Sequence, residues 1–93
     1  MPRIQVVQSH DVTPEEARRR LETFNADLRD RYGLVPVWRS PTEVEMTRSG
    51  ASGTLRIEPR QIRVDIELPF ALSMLRGRIE DQVRRELSSL FAG

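Results

Sequence analysis

The sequence predicts an α+β domain in which an antiparallel meander sheet carries two helices on one face, in the order strand–helix–four strands–helix. Three observations support this fold class. One segment in the first third has a full set of helix-boundary signals and a single apolar stripe. The middle of the chain holds four short runs in which apolar and polar residues alternate between turn residues. The last third returns to helical spacing.

The first helix is the element that the sequence defines best. Thr13 is a favourable N-cap residue, Pro14 suits the first helical position, and Glu16 is placed to complete a capping box. Gly33 fits the left-handed position that follows a helix. Between these boundaries, spacings of three and four residues predict one buried stripe, formed by Ala17, Leu21, Phe24, Leu28 and Tyr32.

Both helices are predicted to be amphipathic. On the charged face of the first helix we expect two weak ion pairs at i,i+4 spacing, Arg18–Glu22 and Asp27–Arg31. The second helix follows residue 75, and its predicted buried stripe consists of Ile79, Val83, Leu87 and Leu90. These stripes are expected to cover the apolar face of the sheet.

Each of the five predicted strands has one buried face. Residues 4–8 form the first strand. Pro36 places the strand at residues 34–39 at a sheet edge or a bulge, because proline has no backbone N–H to donate. Ser49 and Gly50 are typical of a hairpin turn. The residues predicted to face inward are Ile4, Val6, Val44, Met46, Gly53, Leu55, Ile57, Ile62, Val64, Ile66 and Leu68.

The connector before the second helix is unusually apolar for a surface segment, with the sequence Pro-Phe-Ala-Leu-Ser-Met-Leu at residues 69–75. It is either an exposed contact for a hydrophobic surface, a lipid-like ligand or a second protomer, or a buried lid that closes the core. Trp38 is likewise either a core residue or a rim aromatic. The predicted surface or partner-binding residues are therefore Phe70, Leu72, Met74, Leu75 and Trp38.

His10 and Asp11 are the one adjacent pair of the type used in acid–base catalysis, and they form a candidate polar site. Because neighbouring side chains seldom point at one another, we favour a turn in which His10 packs near the helix entry. Residues 48–53 are small and polar like a phosphate loop, but a strand follows them, which favours a hairpin. No serine lies in a nucleophile elbow, so no catalytic residue is assigned.

Composition excludes several classes of protein. With 93 residues there is room for one domain, predicted to span residues 1–93. The absence of cysteine and the single histidine exclude disulfides and thiolate or histidine metal sites, and we expect no metal and no cofactor. Basic and acidic residues number 15 and 14 and are interleaved, which argues against nucleic acid as a partner.

The remaining expectations concern location and assembly. No run approaches the roughly 20 apolar residues needed to span a membrane, and the first residues do not resemble a signal peptide. We therefore expect a cytoplasmic protein. Because a chain of this length has a thin core, we also expect a homodimer, formed through a sheet edge or the apolar connector.

Several short motifs, in order and along nearly the whole chain, resemble the bacterial polyhydroxyalkanoic acid system protein family. The resemblance implies an association with storage-polyester granules, and the family has no assigned catalytic residues to transfer. The order of elements also resembles a reduced helix-grip fold, whose larger members hold apolar ligands between sheet and helix. The motifs that carry the resemblance are Ile4, His10 and Thr13 to Arg18; Asp30 to Leu34; Arg48 to Gly50 with Gly53; Leu68 to Phe70; Leu75 to Glu80; and Arg85 to Leu87.

Two functional hypotheses follow. The first is a non-enzymatic accessory protein of polyhydroxyalkanoate granule metabolism that contacts the polymer surface or a granule protein through the connector. The alternative is a small apolar-ligand or acyl-binding domain, or a weak hydroxyacyl-processing enzyme, with a cavity beside the small residues Ala17 and Gly53. A pocket beside His10 would favour the enzyme.

Overall fold

A computed structural model describes residues 3–48 and 50–91 of the chain; the predicted turn residue Ser49 lies outside these ranges. The element order confirms the predicted strand–helix–four strands–helix arrangement, and the apolar connector is a 3₁₀ helix, called here the 3₁₀ segment. The elements are β1 (Arg3–Ser9), α1 (Pro14–Tyr32), β2 (Val35–Ser40), β3 (Glu43–Arg48), β4 (Ala51–Ile57), β5 (Gln61–Glu67), the 3₁₀ segment (Phe70–Leu75) and α2 (Arg76–Phe91).

The five strands form one antiparallel sheet in the order β1-β5-β4-β3-β2. Strands β2 to β5 are a meander, and β1 pairs with β5, where Val6 lies opposite Val64. Pro36 lies on the edge strand β2, whose register shifts between Trp38 and Ser40, as expected of a proline-containing strand. The predicted edge position is confirmed.

Both helices cover the same face of the sheet, as predicted. Helix α2 packs on β1, and α1 lies against β2 and β4. The inward strand residues meet Leu21, Phe24 and Leu28 of α1 and Val83, Leu87 and Phe91 of α2 in one core. Phe91 extends the predicted stripe of α2, in which Ile79 and Leu90 are only partly buried. The other sheet face is charged and open.

The boundaries of α1 agree with the sequence prediction except in the capping box. Thr13 Oγ1 accepts a hydrogen bond from the backbone N–H of Glu16 at 3.2 Å, and Gly33 has a φ of +70°. The second half of the predicted box is wrong, because the Glu16 carboxylate accepts hydrogen bonds from Arg19 and Arg20 instead. Those bonds lower the pKa of Glu16 to about 2.

The ion pairs predicted along α1, Arg18–Glu22 and Asp27–Arg31, are also wrong. The guanidinium carbon of Arg18 lies 4.5 Å from the centroid of the Trp38 ring, where it makes a cation–π contact. Asp27 meets Glu86 of α2. Contacts between elements thus replace these two predicted pairs, because both flanks of α1 face other parts of the fold.

Candidate functional site

The 3₁₀ segment begins where Pro69 fixes an extended backbone, and its first turn closes with a 2.9 Å hydrogen bond from Leu72 N–H to the Pro69 carbonyl. Its apolar residues divide between two directions. Phe70 and Met74 are 83% and 93% exposed. Leu72 is partly buried and packs against the core. The segment therefore has a solvent face and a core face.

A cavity of about 390 Å³ lies behind the 3₁₀ segment. Leu72 and Leu75 form the wall that the segment contributes. The cavity is bounded by the C-terminal half of α1, the first turn of α2 and the neighbouring ends of β4 and β5. Its other apolar lining residues are Leu28, Leu34, Ala51, Ile66, Leu68 and Ile79.

Three arginines line the solvent side of this cavity: Arg31, Arg48 and Arg78. All three side chains are exposed, so they border the opening and not the apolar floor. Arg48 Nη1 donates a hydrogen bond to the carbonyl oxygen of Tyr32, which ties the end of α1 to the β3–β4 hairpin. Within residues 3–48 and 50–91, no aspartate or glutamate lines the cavity. The opening is therefore a site of concentrated positive charge.

His10 lies at the opposite end of the helix layer and is buried. Its Nδ1 accepts a 3.3 Å hydrogen bond from the Val12 N–H, so the ring proton is on Nε2, which donates to the Glu58 carbonyl at 2.7 Å. The imidazole also packs against Phe91, with ring centroids 5.8 Å apart. Asp11 is exposed. Both ring nitrogens are thus occupied by backbone groups, and His10 is not part of the cavity.

The seam between the helices connects these two ends. Near His10, Arg20 Nη1 donates a 2.9 Å hydrogen bond to the Leu90 carbonyl. Nearer the cavity, two turns along α1 from Arg20 and one turn along α2 from Leu90, the side chains of Asp27 and Glu86 share a hydrogen bond. Burial raises the pKa of Glu86 to about 7, with a further contribution from the hydrogen bond and charge of Asp27; the charge of Arg31 opposes the rise.

The other predicted site residues fall elsewhere. Trp38 is partly buried beneath Arg18 on β2, three strands away from β5, and it does not line the cavity. Ala17 is fully buried and does not line the cavity. The predicted room beside Gly53 is wrong, because a Cβ there would lie 3.3 Å from the Met46 side chain and from the Asp65 carbonyl. The small residue that borders the cavity is Ala51.

Sequence reasoning identified the 3₁₀ segment but missed the arginines. Arg31, Arg48 and Arg78 belong to three different elements, and each looks in the sequence like one more charge on a solvated surface. Ala51, a small residue at a strand start, was the one local indication of space at this end.

Within the described residues there is no cluster of three or more groups able to hold a metal ion. No helix in those ranges is sufficiently long and apolar to cross a membrane.

Comparison with known proteins supplies a family and a fold. A family model described as "Putative polyhydroxyalkanoic acid system protein" matches residues 4–91. No curated protein matches the chain. Among solved structures, the NMR structure of PA4090 from Pseudomonas aeruginosa is similar with a TM-score of 0.61 at 11% identity, over 100% of this chain and 88% of that one. At that identity the likeness concerns the fold alone.

Proposed function

The chain belongs to the polyhydroxyalkanoic acid system protein family, and we propose that it is a non-enzymatic accessory protein that contacts the granule through the solvent face of the 3₁₀ segment. The partner at that face is the polymer surface. The family supplies the setting, and the observation that carries the proposal is the exposure of Phe70 and Met74, at 83% and 93%.

Large apolar side chains so exposed are the kind of surface that marks a contact site. Leu75 is 41% exposed as well, although its side chain also lines the cavity. Fully burying one such side chain contributes about 1.5–3 kcal/mol. Two or three of them would provide a reversible attachment to an apolar polyester surface, without the depth of insertion that a membrane anchor needs.

The backbone of the 3₁₀ segment favours this role because it presents the side chains on a fixed support. Leu72 packs against the core, and Arg76 Nε donates a 2.9 Å hydrogen bond to the Arg3 carbonyl of β1. The segment is thus held to the core through Leu72, and the residue that follows it is held to β1. Side chains on an ordered support lose less conformational entropy on binding than those of a free loop.

Sedimentation with purified polymer granules tests the contact. We expect the wild-type protein to pellet with granules and the double variant Phe70→Ser/Met74→Ser to lose at least nine-tenths of the bound fraction. The matched control is Val35→Ser/Val37→Ser, because these valines are 54% and 42% exposed on the open sheet face. Equal binding by wild type and the Phe70/Met74 variant would refute the polymer contact.

A second candidate, a small apolar-ligand or acyl-binding domain, is favoured by the cavity behind the 3₁₀ segment. The enzymatic form of this candidate gains nothing from the cavity, since His10 lies at the other end of the helix layer. We expect no turnover of hydroxyacyl thioesters by the wild-type protein. Turnover that His10→Ala abolishes, in a variant shown to be folded, would establish the enzyme instead.

Homodimerisation stays a prediction. The surfaces predicted for it are a sheet edge, either β1 or β2, and the 3₁₀ segment; β2 also exposes Val35 and Val37. Sedimentation equilibrium of the wild type and of the two double variants above would show whether a dimer forms and which surface it uses. A wild-type monomer at high concentration would contradict the prediction.

A further inference from the structure

We propose that the cavity behind the 3₁₀ segment binds an acyl chain that ends in a carboxylate, with the alkyl chain inside and the carboxylate at Arg31 and Arg78. The inference deepens the second candidate function by naming the class of ligand. It does not depend on the polymer contact, which uses Phe70 and Met74 on the other side of the segment.

The floor and walls of the cavity fit an alkyl chain. Its volume of about 390 Å³ falls in the range of small-molecule pockets. Its aliphatic side chains, among them Leu28, Ile66 and Leu72, offer no hydrogen bond to a ligand. Besides the arginines, the polar side chains that line the cavity within the described residues are those of Tyr32 and Gln82. An apolar cavity of this kind takes an apolar group, and the solvent side of the pocket must then hold whatever polar end the ligand has.

The opening fits an anion. The described chain has nearly equal numbers of basic and acidic residues, yet the charged groups that line this cavity are three arginines and no carboxylate. Such a distribution concentrates positive potential at the point where a buried alkyl chain would emerge. A carboxylate is a head group whose geometry matches the paired N–H donors of a guanidinium.

The donors needed for this contact are available on Arg31 and Arg78. Within residues 3–48 and 50–91, neither forms an ion pair with a carboxylate. Arg31 lies near enough to Glu86 to lower its pKa, but a guanidinium has five N–H donors and can serve both groups. Arg48 is committed in part to the Tyr32 carbonyl and is assigned a supporting charge.

Methyl-detected NMR with decanoate and decanol as probes tests the proposal, since the two share an alkyl chain and differ in charge. We expect decanoate, below its micelle concentration, to shift the methyl signals of Leu28, Ile66 and Leu72. Decanol should bind at least tenfold more weakly. The double variant Arg31→Gln/Arg78→Gln should weaken decanoate binding at least tenfold and leave decanol binding unchanged. Arg78→Gln alone, at an exposed helix position, should weaken it about threefold and serves if the double variant does not fold.

The control variant Arg60→Gln/Arg85→Gln removes the same charge at two exposed arginines that do not line the cavity, and it should bind decanoate like the wild type. Ala51→Leu, which places a larger side chain in the cavity, should abolish binding of both probes. Equal affinity for decanoate and decanol, or decanoate shifts confined to the methyl group of Met74, would overturn the proposal. The arginine variants should sediment with granules to the same extent as the wild type. The two experiments therefore distinguish a failure of this proposal from a failure of the polymer contact.

Discussion

The two ends of the helix layer differ in how they are packed. At the closed end, around His10 and Phe91, the imidazole is bound through both nitrogens and Arg20 ties α1 to the last turn of α2. At the open end, around the 3₁₀ segment, the helices enclose a cavity and Phe70 stands in solvent. The hydrophobic effect and buried hydrogen bonds hold the first end, and the second end is the part of the fold left available for contacts.

This difference follows the path of the chain. Helix α1 starts at the closed end directly after a strand and a short capped turn, and α2 finishes there against the same residues. At the open end α1 stops at Gly33, and α2 starts only after the 3₁₀ segment has crossed the sheet end. The first end is closed by the side chains of two helix termini, whereas the second is closed only by the segment itself. Stability and contact surface are thus divided between the ends.

The largest expected effect comes from removing the imidazole at the closed end. His10→Ala leaves the Val12 N–H and the Glu58 carbonyl without their partner and removes the contact with Phe91. We expect it to lower the free energy of unfolding by about 2–4 kcal/mol. Phe70→Ala at the open end should change it by less than about 0.5 kcal/mol, because the ring is exposed. Urea unfolding of both variants measures the contrast.

If His10→Ala and Phe70→Ala cost similar free energy, the division of the molecule into a stabilising end and a contact end is wrong. A large loss for Phe70→Ala alone would mean that the ring is covered in solution, by a second protomer for example. Repeating the unfolding at several protein concentrations distinguishes that case, since the stability of a dimer depends on concentration.

Asn25 contrasts with His10, because it is a buried polar residue whose hydrogen-bonding groups are not satisfied. It is buried on α1, seven residues after Arg18 and therefore on the flank that faces β2, and within the described residues neither Oδ1 nor Nδ2 has a partner. An unpaired buried amide costs about 1–3 kcal/mol. We expect Asn25→Leu, similar in size, to raise the free energy of unfolding by about 1–2 kcal/mol in a urea titration.

Asn25→Ala is the matched control, since it removes the amide and leaves a void. It should be less stable than Asn25→Leu by about 2 kcal/mol or more. A loss of stability in Asn25→Leu would mean that the amide is engaged by a group inside the fold. The closed end would then no longer be exceptional in how its polar groups are satisfied.

The fold could be predicted from the sequence because its signals are local. Thr13 and Gly33 bound α1 through contacts within four residues, and the alternation along β5 decides which face is buried without knowledge of the partner strand. The predictions that were wrong concerned the partner that each charged side chain selects, which the spacing of residues does not decide. Glu16 binds Arg19 and Arg20 in place of the Thr13 backbone, and Arg18 lies on Trp38, whose strand begins after α1 has ended.

Only part of the candidate site could be predicted, because its exposure and its cavity depend on how distant elements pack together. The apolar composition of residues 69–75 marked the 3₁₀ segment, but whether it was exposed or buried depended on what the two helices left uncovered. Its residues do both: Leu72 packs inward, and Met74 is exposed. A cavity is a property of packing between elements and has no pattern in the sequence, so it was expected beside Gly53 and lies at Ala51 instead.

The smallest expected effect concerns the middle of the helix seam, where the closed end gives way to the open one. The pKa of Glu86 is raised from 4.5 to about 7, so the folded protein keeps a proton there that the unfolded chain releases. The contribution to stability is therefore full below about pH 4.5 and is lost as the pH rises to about 7. Glu86→Gln keeps an uncharged partner for Asp27 and should show no such loss.

Melting temperatures between pH 4 and pH 8 measure this effect. Because solvent screens a partly exposed pair, we expect Glu86→Gln to melt within about 1 °C of the wild type at pH 4 and roughly 2–4 °C above it at pH 8. Glu16 provides the opposite sign for comparison: its lowered pKa stabilises above pH 4.5 and is lost toward pH 2, outside this range. If the difference in melting temperature between wild type and Glu86→Gln is constant from pH 4 to pH 8, the substitution acts through packing and not through charge. In that case the protonation of Glu86 would contribute nothing to the pH dependence of stability between pH 4 and pH 8.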